Sequence, residues 1–107
     1  MNKVIDKLPA LVAEELSAAN VIHSFFHSPH EGYAVLLEEV EEARAEMINV
    51  ELGIRAAWEC VKDDDMRRLH LFVRDIEKDA LRLAAEAIQV AAMARKMQES
   101  AERCWRE

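Results

Sequence analysis

From Tyr33 to Val61 the chain places an apolar residue at every third or fourth position without a break: Tyr33, Leu36, Val40, Ala43, Met47, Val50, Ile54, Ala57 and Val61. This is a heptad seam, the pattern of helices packed in nearly antiparallel pairs. The same spacing returns at Leu69, Val73, Ile76, Ala80, Leu83, Ala87, Val90, Ala94, Met97, Ala101 and Cys104. With two glycines and two prolines in 107 residues, little material is left for turns. The expected fold is all-α: one domain over residues 1–107, an antiparallel bundle of three to four long helices, assembled as a dimer or tetramer. A composition 51% apolar and 33% charged suits amphipathic helices around a core and argues against a disordered chain.

The first helix is expected to begin near Asp6, which can cap it and leaves Pro9 in the first turn, where proline is tolerated. Leu8, Val12, Leu16, Ala19, His23 and Phe26 share a face, widened by Leu11, Ala18, Ile22 and Phe25, which predicts burial along a broad stripe. His23 and His27 are four apart, but no third ligand accompanies them, and His23 reads as a packing histidine. Ser28, Pro29 and Glu31 form a helix start with a capping box, and the second helix is predicted from about Pro29 to Lys62. Gly53 inside it points to a close helix contact or a local bend. Asp63, Asp64 and Asp65 read as a cap and first-turn acids for a third helix of about 40 residues, about 60 Å long at 1.5 Å per residue. A compact monomer of this size has a radius of gyration near ~13 Å. Such a helix either breaks or is covered by another subunit. Its alanines permit close approach on more than one side, Met47, Met93 and Met97 read as core, and Trp105 as an anchor for a partner chain.

The net charge of −7 and the lack of a basic run disfavour a nucleic-acid partner, because phosphate neutralisation needs clustered Lys and Arg. No apolar run approaches the roughly 20 residues that span a bilayer, and no secretory leader pattern opens the chain, so a cytoplasmic protein without a membrane partner is expected. Cys60 and Cys104 form no CxxC pair and are expected as reduced, packed thiols.

The chemistry-bearing candidates are acids. Glu38, Glu39, Glu41 and Glu42 run through the second helix, with Glu39 and Glu42 side by side. Glu86 and Gln89 form a second such pair within the apolar LAAEAIQVAAMA. Both pairs flank their seams, which predicts that they lie at its edge and converge if the two helices pack antiparallel. Three carboxylates and one amide oxygen would make a hard, oxygen-only site suited to Mg²⁺ or Mn²⁺. On periodicity alone, the default reading of EEVEE is a solvated acidic face.

The strings HEGYAVLLEEVEEA and EAIQVAAMARK resemble those of the MazG-like proteins often encoded by phages and prophages, within the all-α nucleoside triphosphate pyrophosphohydrolase superfamily. The resemblance covers roughly residues 25–46 and 80–96. It implies a helical bundle, dimeric or tetrameric, that hydrolyses (d)NTPs to NMP and pyrophosphate at a site built from ExxE on one helix and ExxD on a later one. By position the metal ligands implied are Glu39, Glu42, Glu86 and Gln89, with Gln89 standing where the superfamily has Asp and supplying one charge fewer. Glu38 is the candidate to orient the attacking water. Arg82, Arg95 and Lys96 are candidates for phosphate contacts, and Phe25, Phe26 or Tyr33 for a base pocket. His30, beside the cap, serves either the helix start or a substrate. The alternative is a non-catalytic oligomeric helical protein, either a degenerate relative that binds nucleotide or an interaction module.

Overall fold

The computed structural model describes residues 2–21 and 24–105. These form three helices and no strand: α1 (Asn2–Ala19), α2 (Pro29–Lys62) and α3 (Met66–Arg103). The chain is all-α, as expected, and none of these helices is long and apolar enough to cross a membrane.

α1 begins four residues before Asp6, which puts Pro9 in the second turn. There it removes the amide that would donate to the Ile5 carbonyl. Ile5 is 56% exposed, so water can replace that donor. The covered stripe is narrower than expected. Val12 and Leu16 are buried and Leu8 half-buried, while Leu11, Ala18 and Ala19 face solvent. Ile22 and His23 lie outside the described residues.

α2 spans the predicted residues. Ser28 Oγ accepts the Glu31 N–H at 3.1 Å, as a helix cap does. The Glu31 carboxylate reaches one residue further back than a capping box requires: it accepts the His27 N–H at 3.3 Å and meets His27 Nδ1 at 3.0 Å. At the other end, Asp64 takes a left-handed conformation with φ 54°. The Asp65 N–H then reaches the Cys60 carbonyl at 2.9 Å and the Asp64 N–H the Val61 carbonyl at 3.2 Å, a Schellman closure made without glycine. Asp65 also starts α3, its Oδ1 accepting the Arg68 N–H at 3.1 Å. The three aspartates are thus occupied in ending one helix and opening the next. α3 runs unbroken for 38 residues, about 57 Å at 1.5 Å per residue.

Contacts divide the chain into two compact units, residues 1–40 with 86–107, and residues 41–85. In the first, Val12, Leu16, Phe26, Ala92 and Met93 form the core, joined by Val35, Leu36, Ile88, Met97 and Trp105. Trp105 therefore docks on its own chain, where the sequence suggested an anchor for a partner. Burying a side chain such as Phe26 or Met93 contributes about 1.5–3 kcal/mol. Ser100 is fully buried and accepts the Phe26 N–H at 3.0 Å while its hydroxyl donates to the Lys96 carbonyl at 2.7 Å. In the second unit the end of α2 meets the start of α3 as a helical hairpin. Cys60 and Ala57 are buried, and Gly53 sits so close to Ile76 that a Cβ there would lie 2.7 Å from Ile76 Cγ1. Gly53 is thus a close-contact glycine. Both cysteines are free, but Cys104 lies exposed in the turn after α3 and is not packed.

The apolar seams are split between two faces. On α2 the covered row is Gly32, Leu36, Glu39, Ala43, Glu46, Val50, Gly53, Ala57 and Cys60. Tyr33, Val40, Met47, Ile54 and Val61, the other half of the seam, are 38–62% exposed. Met47 is therefore a surface residue, unlike Met93 and Met97. α3 repeats the arrangement: Leu69, Phe72, Ile76, Asp79, Leu83, Glu86, Val90, Met93, Met97 and Ser100 are covered, and Val73, Ala80, Ala87 and Ala101 are exposed.

Candidate metal centre

Two of the acidic candidates sit where apolar residues would be expected to pack. Glu39 takes a covered position of α2 and Glu86 a covered position of α3, both half-buried. They are not at the edge of the packed face, as the seam had suggested, because each helix packs along a row one step round from its most apolar one. Glu42, one turn further along α2, is exposed. One carboxylate oxygen from each of Glu39, Glu42 and Glu86 lies within 4.8 Å of the other two. The helical spacing of three explains the first two, and the packing of α3 supplies the last.

The donor set is all oxygen and anionic, with two carboxylates set into packed positions and one open to water. That chemistry fits a hard divalent cation such as Mg²⁺ or Mn²⁺, which prefers carboxylates and retained waters. Gln89, one turn beyond Glu86, is half-buried, and Glu38 is exposed beside Glu39. Among the phosphate-contact candidates Arg82 and Arg95 are exposed. Lys96 is only 6% exposed, its Nζ 4.7 Å from the centroid of the Phe26 ring, so its charge is spent largely inside the first unit.

The aromatic candidates separate. Phe26 is core. Tyr33 lines a shallow cavity of about 320 Å³ with Pro29, His30 and Met97, and Phe25 lines another of about 350 Å³ with Asn20, Ser24, Glu99 and Arg103. His30 is exposed and makes its contribution at the first of these.

Two further acids belong to the same covered rows. Glu46 and Asp79 occupy covered positions seven residues along from Glu39 and before Glu86, and both are half-buried. Glu46 Oε2 is out of reach of solvent and accepts no hydrogen bond from the described residues. Their signal in the sequence is the heptad interval itself, which repeats an acid at one register position on each helix. No family model, no curated protein and no solved structure matches this chain.

Proposed function

We propose that this chain is a Mg²⁺- or Mn²⁺-dependent (d)NTP pyrophosphohydrolase that releases NMP and pyrophosphate, acting as a homo-oligomer. The observation that carries this is the meeting of Glu39, Glu42 and Glu86 from two helices, with one oxygen of each within 4.8 Å. Placing carboxylates in covered rows is costly for a protein that needs only a helical core. A bound divalent cation would supply charge neutralisation for a triphosphate approaching an acidic protein, and stabilisation of the leaving pyrophosphate. Glu39 and Glu86, fixed by packing, would hold it, and the exposed Glu42 would complete the set from the solvent side. Glu38, exposed on the adjoining position, is the group proposed to orient a water toward phosphorus. The half-exposed apolar row of α2 supports the homo-oligomer, since monomers seldom leave apolar patches beyond roughly a few hundred Å² uncovered.

The test is a thermal melt of the purified protein with Mg²⁺ or Mn²⁺ and a panel of nucleoside triphosphates, with pyrophosphate release followed in the same samples. A ligand that binds only the folded state raises the melting temperature by mass action. A shift requiring both metal and one nucleotide, with pyrophosphate appearing, is the expected result and names the substrate. A shift without product would make the chain a nucleotide-binding relative without turnover. No shift with any combination would leave Glu38 and Glu42 as solvated surface acids on a structural bundle.

A further inference from the structure

The second unit leaves uncovered a stripe of α2 whose charges are ordered for one particular neighbour. Glu41, Arg44, Ile48, Glu51 and Arg55 are spaced 3, 4, 3 and 4 and so share one face of the helix. All five are exposed, and Met47, Ile54 and Trp58 border them at 43%, 59% and 57% exposure. None of the four charges is ion-paired within the chain among the described residues.

Read from Glu41 to Arg55 the stripe runs negative, positive, apolar, negative, positive. Read backwards, every sign is inverted. Glu41 and Arg55 stand seven residues either side of Ile48, and Arg44 and Glu51 stand four and three. A parallel copy of the helix would therefore set like charge against like. An antiparallel copy centred beside Ile48 sets Glu41 opposite Arg55 and Arg44 opposite Glu51, and two-fold symmetry makes each pair twice. A partner of different sequence has no need of a stripe that complements itself.

We infer that this stripe seats a second copy of the chain, packed antiparallel across a two-fold axis beside Ile48, with Met47, Ile54 and Trp58 supplying the apolar contact. The inference rests on the homo-oligomer proposed above and specifies its face and direction.

Sedimentation equilibrium of the full chain tests it. The wild type forms a dimer or a larger even-numbered assembly. Arg44→Glu weakens association at least tenfold, and adding Glu51→Arg to it restores association to within about threefold of wild type, with far-UV circular dichroism unchanged throughout. Direction is read separately in a Cys104→Ser background. Ile48→Cys, on the axis, oxidises to a self-linked dimer. Trp58→Cys does not, because antiparallel copies hold these two positions about 30 Å apart at 1.5 Å per residue, far beyond the reach of a disulfide. A chain that stays monomeric at all concentrations overturns both this contact and the oligomer. An oligomer that ignores Arg44→Glu, is not restored by the second change, or is cross-linked through Trp58→Cys overturns this contact alone.

Discussion

The backbone N–H of Phe26 donates to Ser100 Oγ at 3.0 Å, joining the segment before α2 to the last turns of α3. Ser100 is completely buried, and its hydroxyl donates a hydrogen bond to the Lys96 carbonyl. One side chain thus satisfies an amide that no helix could serve. Ser100→Ala leaves that amide buried without its acceptor and is expected to cost about 1–3 kcal/mol, measured as a lower urea midpoint at unchanged slope.

Gly53 and Ile76 make a second close approach. A methyl at Gly53 would lie 2.7 Å from Ile76 Cγ1, so Gly53→Ala forces the pair apart. Overpacking of this kind destabilises by about 1–3 kcal/mol, against a helix-propensity gain of up to about 1 kcal/mol. Net destabilisation is expected in the wild-type background. With Ile76→Ala in place the collision is gone, and Gly53→Ala should turn neutral or stabilising. A double-mutant cycle by chemical denaturation measures that change of sign.

Asp64 holds a left-handed conformation that costs an L-residue roughly 1–2 kcal/mol. Asp64→Gly removes that strain and one charge of an Asp triplet, at the expense of a more flexible unfolded chain. The expected outcome is stabilisation by about 0.5–1 kcal/mol, seen as a rise in the melting temperature.

For the acidic centre the expected signature is metal-dependent stability. Mg²⁺ at about a hundred times its dissociation constant should stabilise the wild type by about 2.7 kcal/mol. Glu39→Gln or Glu86→Gln should abolish that increment and pyrophosphate release together. Glu77→Gln, an exposed acid on α3 outside both the cluster and the proposed contact, should leave both intact. Calorimetric melts with chelator and with added Mg²⁺ compare the four proteins directly.

The helices were legible because their signals are local. The α2 boundaries follow from Ser28, Pro29 and Lys62, and the turn from three aspartates. The convergence of Glu39, Glu42 and Glu86 was legible only conditionally, since it needed the helices to pack. Which face each helix presents was not legible. Both seams contain rows that could go inward, and the covered row of α2 includes Gly32, Glu39, Glu46 and Gly53, which hydropathy ranks below Tyr33, Val40, Met47 and Ile54. Close approach at Gly53 outweighs hydropathy here. The early start of α1 and the inward docking of Trp105 depend on solvation and tertiary contacts that no short-range pattern records.

Asp65 ends the closure of α2 and caps α3 in the same residue, so the connection between these helices has no slack. It works as a phase-setting joint. Inserting a single residue there would turn everything after it by about 100° around the helix axis, carrying Ile76 away from Gly53 and bringing a different row of α3 to face α2. The length of three aspartates, more than the hydrophobicity of either helix, selects which of α3's two apolar faces lies inward in the hairpin.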